Sequence, residues 1–456
     1  MATSPHLTSD LGGQLDGQLI TPSDTSYDEA RKVFFHGFSR RPAAVARAAN
    51  AEDVARVVDY ARDEGFELAV RSGGHSSAGH GTSEGGIVLD LSQLHSLDID
   101  VGAHTAWADS GLTAGEYTTG VGAQGLVTGF GDTPSVGIAG ITLSGGLGFL
   151  VRKNGLTIDD LLAAEVVTAD GSLLQVDADN HPDLFWAIRG GGGNFGVVTR
   201  FKFRLHELEE VVGGMLMLPA SPELVASFVA AAAEAPDELS TVANVMLAPP
   251  MPFVPAEHHG KPVMIVLLVY AGPAEAGEPA IARLRELAEP VVDMVKPMRY
   301  HEIYEVLGEG PSPALIMSRN TFLDTLDSTD AKTILDRLPH SIAPMRAAQL
   351  RVLGGAAARV PVDATAFAHR DRGLMVNIAA MYENPADSQT NREWVTGLSQ
   401  ALEQGGPSGY VGFYGEVSEE RVHAAYPGAT WDRLVEVKRR YDPTNLFRLN
   451  QNVPPN

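Results

Sequence analysis

Residues 42–81 constrain this chain most, because they combine a β-α-β pattern with an abrupt glycine-rich exit. Val45 and its neighbours make a short apolar strand. Asn50 can cap a helix that carries Val54, Val57, Val58 and Ala61 at i, i+3, i+4 and i+7, and Gly65 ends it. Phe66, Leu68 and Val70 then alternate with polar or small residues as a second strand. That strand delivers the chain into Arg71-Ser72-Gly73-Gly74-His75-Ser76-Ser77-Ala78-Gly79-His80-Gly81. Glycines on a strand-exit loop let successive backbone N–H groups approach a ligand without side-chain obstruction, the way loops cradle phosphate. Glycine content alone fits a flexible turn equally well. A metal held by His75 and His80 is the weakest reading, since the spacing lies on a loop with no carboxylate cluster beside it.

A second glycine-rich region spans Gly129 to Gly155 and contains Thr133-Pro134-Ser135-Val136-Gly137 and Ser144-Gly145-Gly146-Leu147-Gly148. Strand signals fall at Ile87–Leu91 and Thr105–Ala108, and Thr113 with Glu116 forms a capping-box pattern. Asp170-Gly171 lies between the apolar runs Ala163–Val167 and Leu173–Val176, a hairpin signal. Phe201, Phe203 and Leu205 alternate with Arg200, Lys202 and Arg204 as one more half-buried strand. From about 209 to 415 glycine clusters thin out, an alanine-rich helical stretch covers 223–235, and strand-like runs occupy 263–270 and 374–382. At the end, Trp431, Leu434, Val435 and Lys438 share a helical face that Asp442-Pro443 terminates. A chain of 456 residues is too long for one simple core, so the expectation is an α+β fold of two domains, 1–208 and 209–415, with 416–456 returning to the first.

Composition narrows the chemistry. There is no cysteine, which excludes disulfides, thiolate-held zinc, iron–sulfur clusters and thiol nucleophiles. The net charge of −23 argues against nucleic acid or an anionic membrane as partner, so an anionic ligand must be held by local donors. No apolar run is long enough to span a bilayer, and the first 25 residues lack a basic start with an apolar stretch, so a soluble, cytoplasmic protein is expected. Gly191, Gly193 and Gly196 match G-x-G-x-x-G, but Asp183–Arg189 reads as a helix before it and Val197 onward as a strand after it. A nicotinamide site needs the reverse order, strand then helix.

Two motifs at opposite ends carry a resemblance. Arg71-Ser-Gly-Gly-His75-Ser76 resembles the phosphate loop, with its flavin-attaching histidine, of the vanillyl-alcohol-oxidase type of flavoproteins, specifically the berberine-bridge-enzyme-like oxidases. Tyr441-Asp-Pro-Thr-Asn-Leu-Phe-Arg448-Leu-Asn450-Gln-Asn452-Val-Pro-Pro resembles their C-terminal signature. The resemblance implies a two-domain FAD-binding fold with a separate α+β substrate domain. It implies FAD bonded covalently to His75, in contact with Arg71, Ser72, Gly73, Gly74, Ser76, Gly79, His80, Gly131, Thr133, Val136, Gly137, Gly140, Gly145, Gly146, Gly196, Val198, Asn450 and Asn452. Many members add a cysteinyl bond from a Cys-Pro-x-Val-Gly stretch. Thr133 stands there in this chain, so attachment is expected through the histidine alone, as in the subgroup similar to hydroxynicotine oxidase. Val136 matches the position that governs oxygen access, where a small residue goes with oxidase behaviour.

Hydride transfer to a flavin also requires removal of a proton from the substrate. Relatives often carry Tyr-x-Asn-Tyr near the C-terminus, and this chain has Tyr410-Val-Gly412-Phe413-Tyr414. Asn377 stands where some relatives have a carboxylate or glutamine, and an amide is a poor base. Tyr410 is therefore the leading candidate base, with Tyr414 assisting and Arg351 polarising, although tyrosines of this kind more often serve packing and Arg351 could simply pair with an acid. His369-Arg370 also resembles a family pattern and reads as structural. The expected function is an FAD-dependent oxidase of a small hydroxylated or amine substrate, producing hydrogen peroxide from oxygen, as a monomer or homo-oligomer without metal. A flavin dehydrogenase with another acceptor, or a flavin-binding protein that has lost catalysis, are the alternatives.

Overall fold

The computed structural model describes residues 10–307, 315–416 and 418–456; residues 1–9, 308–314 and 417, which fall inside the three expected segments, lie outside the described residues. The β-α-β reading holds in detail. Strand Ala44–Arg47 leads to helix Ala51–Glu64, whose N-cap Asn50 accepts the amide of Asp53 and whose C-cap Gly65 adopts φ 72°. Left-handed φ favours glycine, which explains the stop. Strand Leu68–Arg71 follows, and Ile87–Asp90 inserts between the two, pairing in parallel with both, while Gln18–Ile20 adds an antiparallel edge. Val54, Val57, Val58 and Ala61 bury the helix face against this sheet.

A second, five-stranded antiparallel sheet runs in the order Leu97–Asp100, Thr105–Asp109, Val197–Arg204, Leu161–Val167, Leu173–Asp177. The Asp170-Gly171 hairpin is present, with Val167 opposite Leu173 and Gly171 at φ 79°. Phe201 and Phe203 point into the core. Thr113 and Glu116 form the capping box of helix Ala114–Gly122.

The third sheet has eight antiparallel strands, all between Val211 and Tyr382. Its central order is Pro262–Tyr270, Leu239–Leu247, Met345–Val352, Leu374–Tyr382, Leu315–Leu323. Alternate residues such as Ala243, Val245, Leu350, Val376 and Ile378 pack under helices Pro222–Glu234, Ser328–Arg337 and Ser388–Leu402. Strand alternation sends the intervening side chains to the opposite face. On that face Phe322 and Met375 join one apolar cluster with Leu147, Val151, Leu156 and Tyr410, so it looks onto the second glycine-rich region. The architecture is α+β, as the sequence leads one to expect. Helix Ala429–Tyr441 then brings the C-terminus back beside residues 183–196.

Candidate active site

The two glycine-rich regions meet back to back. A Cβ built on Gly73 would stand 2.2 Å from the nitrogen of Gly137, and one on Gly137 would stand 2.2 Å from the nitrogen of Gly73 and 2.1 Å from Ser72 Oγ. Only paired glycines permit that approach. Ser72 Oγ donates to the Ser110 carbonyl at 2.6 Å, and Ser110 Oγ to the Val198 carbonyl at 2.6 Å, tying the loop to the five-stranded sheet. Gly74 and Gly79 both take φ 72°, and Gly79 presses on the Phe38 ring.

His75 lies partly exposed on this junction. Its Nε2 hydrogen-bonds Ser135 Oγ at 2.8 Å and its ring stacks on Phe34 at 3.9 Å, so both position and plane are set from opposite sides. Arg71 departs from the cofactor-contact expectation as far as its side chain goes. The guanidinium is buried, paired with Asp90 at 2.9 Å and donating to the carbonyls of Ala30 and Lys32, so it anchors the loop. Ser76 Oγ accepts the amide of His80 at 3.2 Å. Burial, with Arg40 nearby, lowers the His80 pKa to about 4, which keeps this ring neutral.

The C-terminal signature builds a second wall. Lys438, fully buried, donates to Asp442 at 2.7 Å, to the Asn194 carbonyl at 2.8 Å and to the Phe447 carbonyl at 2.9 Å. Asn194 in turn bonds the Gln451 carbonyl and the Val453 amide, and Asn450 Nδ2 donates to Gly193. The G-x-G-x-x-G stretch is thus the socket for the C-terminus, and it sits in the helix–loop–strand order read from the sequence, between Pro182–Ile188 and Val197–Arg204. Asn450 Oδ1 and Asn452 Oδ1 are buried with no protein partner. Orphaned acceptors on the segment that docks on Gly193 and Asn194 are what a nucleotide cofactor with hydrogen-bond donors requires, so the residues present fit FAD. Gly196 crosses Val166 and Val167 too closely for a side chain, and Gly140 is exposed with nothing within 4 Å of its Cβ position.

Tyr410 is buried over the second region. Its Oη accepts the amide of Gly146 at 3.1 Å, while Asn320 grips its backbone from both sides, accepting its N–H at 2.6 Å and donating to its carbonyl at 3.0 Å. Gly145 (φ 127°) and Gly146 (φ 83°) shape that contact. Burial pushes the Tyr410 pKa up to about 12, opposed by the Gly146 amide and Arg351. Tyr410 is therefore held as the neutral phenol, so the candidate base would have to shed its own proton before it could take another. The glycine at 412 has a reason: a Cβ there would lie 2.6 to 2.8 Å from Cε1, Cζ and Oη of Tyr410.

Arg351 reaches from the eight-stranded sheet to Asp132, forming an ion pair across to the second glycine region, and its guanidinium covers the Phe413 ring at 5.0 Å. Thr133 Oγ1 steadies Asp132 at 3.1 Å, and Tyr304 Oη donates to the Gly131 carbonyl at 3.2 Å. Tyr414 is a correction. Its hydroxyl is committed to the Arg421 carbonyl at 3.1 Å, and its ring belongs to the core under Arg421, so it cannot assist Tyr410. Asn377 half-faces the site, with Oδ1 buried and unpartnered. Arg370 makes a two-pronged pair with Asp159 at 2.7 Å per bond, in keeping with a structural role. Sequence reasoning missed Phe34, Asp132, Ser135, Asn320 and Gln349. Ser135 and Asp132 lie in or beside the Thr133–Gly137 motif, where a polar residue flanking glycine was the available signal.

Back-to-back glycine loops, an oriented histidine and a C-terminal wall define a flavin-binding class, and the family models agree. Residues 42–177 match the model described as FAD binding domain, and residues 409–454 the one described as Berberine and berberine like. The chain belongs to the berberine-bridge-enzyme-like flavoproteins of the vanillyl-alcohol-oxidase type and is an FAD-dependent oxidoreductase. Among its relatives is (R)-6-hydroxynicotine oxidase of Paenarthrobacter nicotinovorans, 33% identical over 97% of each chain. The solved structure of 6-hydroxy-D-nicotine oxidase from Arthrobacter nicotinovorans superposes with a TM-score of 0.87 at 30% identity, covering 97% of this chain and 99% of that one. A berberine-bridge-enzyme-like protein of Physcomitrella patens shares the fold, with TM-score 0.85, 21% identity and coverage of 98% and 99%. Among the described residues no helix is long and apolar enough to cross a membrane.

Proposed function

We propose that this protein is an oxidase whose FAD is bonded covalently to His75 alone, and that it oxidises a small amine or hydroxylated substrate with oxygen as acceptor. The observation that carries this reading is the junction of Gly73 and Gly137, with His75 held between Phe34 and Ser135. Bound FAD would supply the acceptor for a hydride from the substrate, with oxygen as the final acceptor and hydrogen peroxide as the coproduct. The chain's own part is binding, orientation and proton control. The loops 72–81 and 131–146 with Asn450 and Asn452 would hold the cofactor, on segments 1–208 and 416–456. The open face of the 209–415 sheet forms the roof.

Tyr410 enters as a hydrogen-bond donor, because its oxygen already accepts the Gly146 amide and its proton is held up to about pH 12. No group described at the roof is a strong base, so an amine bound in its neutral form suits the site best: loss of hydride from its α-carbon gives an iminium ion without prior deprotonation. Val136, a small residue at the position the family resemblance links to oxygen access, supports oxygen as the acceptor. The test is the absorption spectrum of wild type and His75→Ala before and after acid precipitation. Flavin colour in the wild-type pellet and not in that of the variant is expected. Release of all flavin from wild type refutes the covalent link. Anaerobically reduced protein should reoxidise on admission of air; slow reoxidation would replace oxygen with a quinone-type acceptor.

A further inference from the structure

Four amide side chains stand at one register across four neighbouring strands of the roof. Asn244 pairs with Gln349, Gln349 with Asn377, and Asn377 with Asn320. Directly opposed residues of antiparallel strands share a face, so these side chains form a row. Its flanking positions on the three central strands are Val242, Met246, Ala347, Met375 and Ala379, all apolar, and Arg351, whose charge Asp132 balances.

The polarity of the row is fixed at every member but one. Arg351 can only donate, and its Nε reaches Gln349 Oε1 at 2.9 Å. Gln349 must then present Nε2 to Asn244, whose Oδ1 accepts at 3.1 Å. At the other end, the backbone of Tyr410 sets both atoms of Asn320. Asn377 is the exception: its Oδ1 is buried without a partner. It lies between the strand that holds Tyr410 and the strand that carries Arg351. A buried amide acceptor in an apolar, charge-balanced surround disfavours an ion and suits a neutral group that offers a donor beside an acceptor.

We propose that Asn377 is the specificity-determining residue of the roof, and that it selects neutral ligands bearing an amide-like donor and acceptor pair over cations, anions and acceptor-only groups. This rests on the roof being the substrate face of the proposed oxidase. Four aromatic probes of similar size separate the chemistries: benzamide, acetophenone, benzoate and benzylammonium. Their binding to the holoprotein is measured by calorimetry and, independently, by perturbation of the flavin absorption. Acetophenone lacks the donor for Asn377 Oδ1 and leaves that acceptor unpaired, so benzamide is expected to bind roughly tenfold to thirtyfold tighter. The ions should bind more weakly still. Asn377→Leu should erase the benzamide preference, and the isosteric Asn377→Asp should turn it toward benzylammonium. Equal binding of all four probes, or a benzamide preference that survives Asn377→Leu, overturns the inference. A calorimetric preference that Asn377→Leu removes but that leaves the flavin spectrum untouched keeps the amide row as a selector and refutes the oxidase reading of this face.

Discussion

Replacing Gly412 by alanine should damage catalysis while leaving flavin in place. The added Cβ would stand 2.6 Å from Tyr410 Cε1 and 2.8 Å from its Oη. Carbon atoms rest at about 3.5 to 4.0 Å, so the ring must withdraw by about 1 Å. It has nowhere easy to go. Asn320 pins the Tyr410 backbone, Phe413 meets the ring edge-on at 5.2 Å, and Phe367 lies at 6.2 Å. Overpacking of this kind costs about 1 to 3 kcal/mol, and stretching the bond from the Gly146 amide adds to it. If Tyr410 donates to the substrate, a shift of about 1 Å lowers the rate of flavin reduction by roughly 10²-fold. The assay is anaerobic stopped-flow reduction of the flavin by substrate, with Tyr410→Phe in parallel and the flavin-to-protein ratio as control. The reasoning fails if Gly412→Ala reduces its flavin at the wild-type rate while Tyr410→Phe does not.

Three further outcomes follow from polar and charged groups the fold encloses. The Tyr410 pKa is raised, so its contribution to stability is complete below about pH 10 and is lost as pH climbs toward about 12; Tyr410→Phe should lessen the alkaline loss of thermal stability, and a kcat limb between about pH 6 and 9 that vanishes in this variant would contradict a neutral phenol. Arg351→Met leaves Asp132 without its cation in a largely enclosed setting and should destabilise by about 3 kcal/mol, part of which Asp132→Asn should restore in the double variant, as read by urea unfolding. Lys438→Met removes three buried bonds at once and should cost about 3 to 5 kcal/mol and loosen flavin retention; unchanged stability would show that the buried Lys438–Asp442 pair contributes nothing net.

What could be read from the sequence was the part governed by neighbours along the chain. The Asn50 and Thr113 caps, the Gly65 stop and the Asp170-Gly171 turn are decided within a few residues, and each stands where its local chemistry puts it. The candidate site divides differently. His75 and Tyr410 stand out as single residues, but the contacts that define them, to Ser135 and to Gly146, span 60 and 264 positions. Arg71 stands among the FAD contacts expected from its motif, and only the third dimension shows its guanidinium turned to Asp90. The amide row is invisible in one dimension, because its four members belong to strands whose order in the sheet differs from their order in the chain.

The bond from Lys438 to the carbonyl of Asn194 joins residues 244 apart. One wall of the cofactor cleft is therefore written late in the first half of the sequence and its closure 244 residues further on. During synthesis the nucleotide-binding loops emerge long before residues 438–453, so closure of this wall has to wait until that segment has left the ribosome. Deleting residues 445–456, or crowding Val453, which docks on Asn194, would strike at cofactor capture.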